Sequence, residues 1–529
     1  MRVLITDEIS AEALEILRSG RLDFDVRTGL SRTELQGIIG GYEALIVESA
    51  TSVDGAVIEK ADRLRIIGRA GIGADNVDVE AATEKGIIVM NSPAGNALAA
   101  AEHTLTLIFA LAREVALGDR SVKQGRWDGS RLSGVEVCEK TLGIIGLGMV
   151  GQIVADKARG LGMKVIGCDP YLPPEASKEG IEMVDLETLL SRSDFVTIHA
   201  PLTDETRHLL NRTTLSKAKK GIFVINVARG GIIDEGALYE ALKKGRVAGA
   251  ALDVYETEPP AKKDRLVGLD KVIATPHIAG STVEAKRKSL VDIARQVVDY
   301  ARDGVIRNGL NIPAVSLEIK KGIAPYTTLT QRLARFVSLV HEGPLDEIDI
   351  EYRGGIAEVE TTVLTREILS EILAPRASGV NAVNAHLRTM SMGIRTKEFR
   401  EVLHYYPTSL LVIRLKGERG ESAAYGTLLR ENEARLIRLN NISIDADLTG
   451  RMLVVYCYDR PGLIGSVAGT LAEAGVNIGE MHFGREKVGG LALSLFDVDR
   501  IVSDGTIEAL RSLADIAAVK GIDLDETHR

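Results

Sequence analysis

Thr141–Pro170, TLGIIGLGMVGQIVADKARGLGMKVIGCDP, reads as strand, tight glycine turn, helix and strand, ending on an acid. Leu142, Gly143, Ile144 and Ile145 form the short apolar run of a buried parallel strand. Gly146-x-Gly148-x-x-Gly151 follows at once. Gly146 permits the sharp turn, Gly148 lets backbone approach a pyrophosphate, and Gly151 seats the helix close to the strand. Met149 and Val150 carry the turn into a helix whose free N–H groups and dipole face negative charge. A second apolar strand, Met163–Cys168, leads into Asp169, 18 residues past Gly151 and near the spacing of about 20 for an acid that accepts from a ribose 2′-hydroxyl. Such an acid repels a 2′-phosphate, so the unit predicts NAD rather than NADP. Glycine is common here, 53 of 529 residues, and the three-glycine pattern alone says little; strand, helix and terminal acid together give it meaning.

A chain of 529 residues is too long for one core, and about three to four domains are expected. Apolar content of 45% and charged content of 26% are those of a globular protein. The net charge of −9 argues against a nucleic-acid or anionic-membrane surface. Cys138, Cys168 and Cys457 form no metal-ligand spacing and cannot all pair, so no metal is expected and a reducing, cytoplasmic setting fits. The opening MRVLITDEIS reads as a strand rather than a signal peptide, and no apolar run approaches membrane-spanning length.

Working outward, residues 1–97 alternate apolar runs (Val3–Ile5, Phe24–Val26, Ala44–Val47, Leu64–Ile67, Ile87–Met90) with helical stretches such as Ala11–Arg18 and Val79–Lys85. That βαβα pattern predicts a parallel sheet covered by helices on both faces. A long helix, Ala97–Gln124, is expected to cross into a second, nucleotide-binding sheet. That sheet continues through Phe195–Ile198, Phe223–Val227, Ala248–Asp253 and Val272–Thr275, and a helix over Thr282–Asp303 returns to the first. The reading is a first domain of 1–97 and 281–308, with a Rossmann-like domain of 98–280 inserted in it. Residues 309–443 form an α+β region with helical stretches near 326–342 and 365–374. Residues 451–529 read βαββα, a small α+β ligand-binding module.

Three polar groups follow late strands of the nucleotide sheet, where open α/β sheets carry their sites. Arg229 sits in INVARGGIIDE, Glu258 in ALDVYETEPP and His277 in ATPHIAGST. Oxidising a secondary alcohol with nicotinamide needs a base for the hydroxyl proton, and histidine backed by a carboxylate suits it. A carboxylate-bearing substrate calls for a planar two-pronged donor, which arginine provides. One loop histidine or arginine is usually a surface residue; three after three strands of one sheet make a site.

RAGIGADNVD, GLGMVG, NVARGGIIDEGAL, ALDVYETEPP and TPHIAGST together resemble the D-isomer-specific 2-hydroxyacid dehydrogenases. Region 313–443 and the tail YDRPGLIGSVAGTLAEAGVNIGEM resemble the intervening and ACT domains of that family's long-form D-3-phosphoglycerate dehydrogenases. The resemblance implies NAD-dependent oxidation of 3-phospho-D-glycerate to 3-phosphohydroxypyruvate, the entry to L-serine by the phosphorylated route. It assigns Arg229 to the substrate carboxylate, His277 to proton exchange and Glu258 to pairing with His277. Gly146, Gly148, Met149, Val150, Gly151 and Asp169 fall at cofactor positions, as do Ala200, Val227, Ala228, Arg229, Asp253, His277 and Gly280. Ser49, Thr51, Gly73 and Asn96, with Arg229, match positions lining the substrate pocket. Asp253 has a second reading as a structural strand-end acid, and Ser49 and Thr51 as residues that close a turn.

The chain departs from the family at two places. Met149 stands where arginine is usual, harmlessly, since backbone makes the phosphate contacts there. Glu48 stands where a basic residue is usual and puts negative charge near the expected phosphate; Arg69, Lys123 or Arg131 are the candidates to compensate. Glu48 favours a dehydrogenase of an unphosphorylated 2-hydroxy acid, and the ACT-like tail opposes it. An NAD-sensing corepressor-like protein is the remaining alternative, opposed by the intact Arg/Glu/His set. The tail implies an amino-acid effector, L-serine, with Asp459 for its ammonium and Asn477 for its carboxylate. The alternative is that Asp459 only caps the following helix and the tail is an assembly element. A homo-oligomer, dimer or tetramer, completes the expectation.

Overall fold

The computed structural model describes residues 1–127, 129–172, 180–402, 409–429 and 433–525. The first five strands are β1 (Arg2–Ile5), β2 (Asp23–Val26), β3 (Ala44–Val47), β4 (Ile66–Arg69) and β5 (Ile88–Asn91), in the parallel order β2-β1-β3-β4-β5. Their alternate side chains feed two cores. Val3, Ile5, Ala44, Ile46, Ile66 and Met90 pack under helices Ala11–Ser19 and Val283–Asp303, while Leu4, Leu45, Val47, Ile67 and Val89 meet the helices of the other face. Burial on both faces is why these strands are continuous apolar runs rather than alternating ones.

The second sheet holds β6 (Thr141–Ile145), β7 (Lys164–Cys168), β8 (Glu182–Met183), β9 (Phe195–Ile198), β10 (Ile222–Asn226), β11 (Val247–Leu252) and β12 (Val272–Ala274). Its order, β12-β11-β10-β9-β6-β7-β8, is the dinucleotide-binding one, with the strand sequence reversing between β6 and β9. Here too the fold is doubly wound, with one core on each face.

The helix expected over Ala97–Gln124 begins earlier and is broken. It forms as Pro93–Ala112 and Val115–Lys123, with Glu114 left-handed at φ 50°. A returning segment causes the break: the Val135 amide donates to the Ala112 carbonyl at 2.7 Å, and a Cβ on Gly134 would lie 2.5 Å from that oxygen. This crossing lies far along the chain and is not visible in local pattern.

The third sheet is mixed: β13 (Glu347–Arg353), β14 (Arg395–Glu401), β15 (Leu410–Gly417), β16 (Gly420–Leu429), β17 (Glu433–Leu439) and β18 (Ile442–Asp447), ordered β14-β13-β15-β16-β17-β18. Helices Leu317–Val340 and Thr361–Leu373, both longer than expected, pack with it, and a third, Ala385–Ser391, was not foreseen. The tail has β19 (Arg451–Tyr458), β20 (Ile478–Arg485), β21 (Leu491–Val498) and β22 (Ile516–Asp523), ordered β20-β21-β19-β22. Its element order is βαββαβ, not βαββα. The expected last helix stops at Arg511, Asp515 turns through φ 67°, and the chain returns as β22 against β19. Met452, Val454, Leu493 and Leu495 join the core of the third sheet, so the last two sheets share one apolar interior.

Among the described residues no helix is long and apolar enough to cross a membrane. Nor do they include a group of three or more His, Cys, Asp or Glu side chains that could hold a metal ion.

Candidate active site

The glycine turn shows three different reasons for three glycines. Gly146 has φ 88°, and a Cβ there would lie 2.8 Å from the His199 carbonyl on β9's far end. A Cβ on Gly151 would lie 2.1 Å from the Gly146 oxygen, so only glycine lets the helix sit against the strand. Around Gly148 a Cβ would meet nothing within 4 Å, leaving open space over the turn. Gly148 is also the N-cap of helix Met149–Gly160, with no side chain capping the first amides. Those amides and the open space fit a pyrophosphate. Asp169 ends β7 beside the turn and accepts from the amides of Leu147 at 2.9 Å and Tyr171 at 3.0 Å. Val227 is buried, Ala200, Ala228 and Val150 are half-buried, and Met149 is exposed. Burial alone holds His199 neutral, its pKa pushed down to about 3.

His277 follows β12, and its Nδ1 stands 2.7 Å from Oε2 of Glu258, which follows β11. The other Glu258 oxygen accepts the Tyr255 amide at 3.1 Å, so the carboxylate is fixed before it meets the ring. His277 is left-handed, φ 52°, a strained backbone for a bulky residue. Asp253 holds it there. This acid is fully buried, and it takes the Ile278 amide and Thr275 hydroxyl on one oxygen and the Ala279 amide on the other. Burial favours its neutral form, but the His103, Thr275 and amide hydrogen bonds outweigh it and keep the carboxyl below its ordinary pKa. The geometry thus favours the structural reading of Asp253: both oxygens are spent on the loop that presents His277.

Arg229 lies after β10, in a loop pinned by Asn226, whose side chain bonds Arg229 O at 2.9 Å and the Ala228 amide at 3.0 Å. Its guanidinium reaches across to the first sheet: Nε pairs with Asp75 at 3.3 Å, and Nη2 lies 2.1 Å from where a Gly73 Cβ would be. Asn96 accepts the Ser289 hydroxyl at 2.6 Å and faces Gly280, whose Cβ would lie 2.8 Å from its Nδ2. Thr51 donates to Asp7 at 2.9 Å, which ties its loop to the one after β1 rather than closing a turn; Ser49 beside it is exposed.

Of the candidates to offset Glu48, Arg69 is at hand, and burial lowers its guanidinium pKa, with Asp75 and Glu48 opposing that effect. Lys123 is engaged with Asp119 at 2.9 Å on an exposed helix, and Arg131 lies in the turn Gly129–Arg131. The cation that stands beside Glu48 is Lys286, at 3.7 Å. Sequence reading missed it, along with Asp7 and Asp75, because their contacts join segments distant in the chain; it also missed Asn226 and Tyr255, whose bonds to Arg229 and Glu258 are local but carry no motif of their own.

In the tail, Asp459 does not cap its helix. Its Oδ2 accepts from Arg485 at 2.7 Å and the Gly489 amide at 3.1 Å, which hold its pKa below the usual range, and the helix Leu463–Glu473 begins at Gly462 without a side-chain cap. Asn477 is at the other end of the sheet. Ile478 and Arg451 both align with Val498, whereas Tyr458 aligns with Leu491 near Arg485. Eight strand residues at about 3.4 Å each separate the two ends. Asp459 and Asn477 of one chain therefore cannot hold one small zwitterion together, contrary to the expectation.

Two doubly wound sheets, a phosphate-ready glycine turn and an acid at the next strand end, with His277, Glu258 and Arg229 after later strands, mark a dinucleotide-dependent dehydrogenase. The model described as "D-isomer specific 2-hydroxyacid dehydrogenase, NAD binding domain" matches residues 105–279. The "D-3-phosphoglycerate dehydrogenase intervening domain" matches 322–440, and the ACT domain 451–515. D-3-phosphoglycerate dehydrogenase of Archaeoglobus fulgidus is 38% identical over 99% of this chain and 100% of its own length. The Bacillus subtilis protein of the same name is 37% identical over 99% of each. Among solved structures, a glyoxylate reductase from Paecilomyes thermophila superposes with a TM-score of 0.54 at 29% identity, over 59% of this chain and 98% of its own. D-lactate dehydrogenase from Escherichia coli gives 0.51 at 28%, over 59% of this chain and 100% of its own. The chain belongs to the D-3-phosphoglycerate dehydrogenase family.

Proposed function

We propose that the chain oxidises 3-phospho-D-glycerate to 3-phosphohydroxypyruvate with NAD, supplying the serine pathway, and that the Glu258–His277 pair carries the proton chemistry. The 2.7 Å contact at Nδ1 is the observation that carries this reading. With Nδ1 donating to Glu258, Nε2 keeps its lone pair and takes the substrate hydroxyl proton, and the carboxylate stabilises the imidazolium that results. Arg229 takes the substrate carboxylate, oriented by Asp75, and Gly73 leaves room for the guanidinium. NAD, when bound, accepts the hydride. Gly148 and the first amides of its helix would hold the pyrophosphate, and Asp169 the ribose hydroxyls. Asp253 acts through His277, as a positioning residue.

On this reading residues 1–97 and 281–308 form the substrate domain, 98–280 the NAD domain, 309–443 the intervening domain and 451–529 the regulatory domain. The effector is L-serine. Because Asp459 and Asn477 lie at opposite ends of one tail sheet, a serine held by both sits between two copies, Asp459 from one and Asn477 from the other. A homo-oligomer follows from that requirement, and the setting we propose for it is the cytoplasm.

Glu48 favours a second reading, a dehydrogenase of an unphosphorylated 2-hydroxy acid, since it places an acid beside the pocket. Initial rates with NAD on 3-phosphoglycerate, glycerate and lactate side by side distinguish them. The phosphorylated acid is expected to give the highest kcat/KM; a preference for glycerate overturns the first reading.

A further inference from the structure

β1 and β3 are neighbours from which the strand order runs in opposite directions, and at such a point open α/β sheets take their ligands. Asp7 after β1 and Glu48 after β3 meet there: the Asp7 carboxylate accepts the Glu48 amide at 2.5 Å and the Thr51 hydroxyl at 2.9 Å. Asn76 bonds the carbonyls of Glu48 and Thr51 at 2.7 and 2.6 Å, which fixes the loop. Arg69, at the end of β4, lies in the fields of Glu48, Asp7 and Arg229. Two acids thus stand at the switch point with Arg69 as one cation between them, and a second is needed to offset both.

Lys286 supplies it. It is on the first turn of helix Val283–Asp303, where the helix dipole disfavours a cation. Its ion pair with Glu48 is long, 3.7 Å, with half of the lysine side chain exposed, and such a pair adds little to stability. An ammonium has three donors, and Glu48 engages at most one. A residue placed against local preference, weakly paired to an acid whose field also reaches Arg69, and with spare donors, is arranged for a ligand rather than for the fold.

We propose that Lys286 sets the specificity for a phosphorylated substrate: with Arg69 it takes the phosphate oxygens, Glu48 steers its ammonium, and Arg229 takes the carboxylate at the other end. The cation comes from the returning helix instead of from the loop after β3. This inference rests on 3-phosphoglycerate being the substrate.

The test is the ratio of kcat/KM for 3-phosphoglycerate to that for glycerate, which does not depend on the folded fraction. Lys286→Gln is expected to lower this ratio roughly 10- to 100-fold, mainly through KM, as for loss of a charged hydrogen bond. Glu48→Gln with Lys286→Gln is expected to stay low, whereas Glu48→Arg with Lys286→Gln is expected to recover most of the loss. An unchanged ratio in Lys286→Gln, or recovery in the double Gln variant, overturns the proposal and leaves Lys286 as a neutraliser of Glu48. An unmodified enzyme that does not favour 3-phosphoglycerate overturns the substrate reading itself.

Discussion

Nδ1 of His277 and Oε2 of Glu258 stand 2.7 Å apart although their residues come from loops after different strands. Asp253 at the base of one loop ties the other down through three hydrogen bonds. The ring is oriented from both sides, with Nε2 left for substrate.

His277→Ala should therefore lower kcat by about 10² to 10⁴-fold, the usual worth of a positioned general base. Glu258→Gln should lose less. NADH affinity, followed by fluorescence titration, should survive in both. Near-normal turnover in His277→Ala would mean that another group takes the proton.

Asp253→Asn keeps the shape but replaces one acceptor oxygen by an amide that faces a donor. The loop amides of Ile278 or Ala279 then lose a partner, and His277 leaves its strained conformation. A fall in kcat of about 10²-fold is expected, in line with a displacement of about 1 Å at a reacting group. Its carboxyl pKa is depressed in the fold, so the stability it contributes is present above the unfolded value of about 3.9 and is lost as pH falls below that. Thermal melts of the two proteins should accordingly differ at neutral pH and converge in acid; a gap that is constant down to acid pH contradicts this.

Gly73→Ala would place a Cβ 2.1 Å from Nη2 of Arg229 and 2.5 Å from Asp75. The guanidinium must move, so KM for the substrate should rise about tenfold or more while NADH binding and Tm change little. Unchanged KM would show that Arg229 binds substrate from another position.

For the cofactor, NADP should react far more slowly than NAD, and Asp169→Ala should narrow that gap by removing the acid that repels a 2′-phosphate. Equal rates with both cofactors in the unmodified enzyme would remove this role from Asp169.

L-Serine, but not D-serine, should bind the intact assembly and lower its activity, which requires unequal affinity for two conformations. Asn477→Ala and Asp459→Asn should each abolish both effects, although the two residues are remote within one chain. Calorimetry that detects no L-serine binding would leave the tail as an assembly element.

The sequence by itself determined the two parallel sheets, because strands buried on both faces must be apolar runs and crossover helices must separate them. It determined the glycine turn and its acid, whose spacing is local, and it picked out Arg229, Glu258 and His277, because each lies in the loop after a strand of its own. Tertiary structure decided what depends on remote contacts. Val135 breaks the helix at Ala112, and β22 completes a sheet begun at β19, more than fifty residues earlier in the chain. Asp253 turns out to spend its carboxylate on a neighbouring loop, and Asp459 on Arg485 rather than on its own helix. Lys286 meets Glu48 only because the last helix of the first unit returns to the sheet it left, and no periodicity or spacing encodes a contact between segments so far apart.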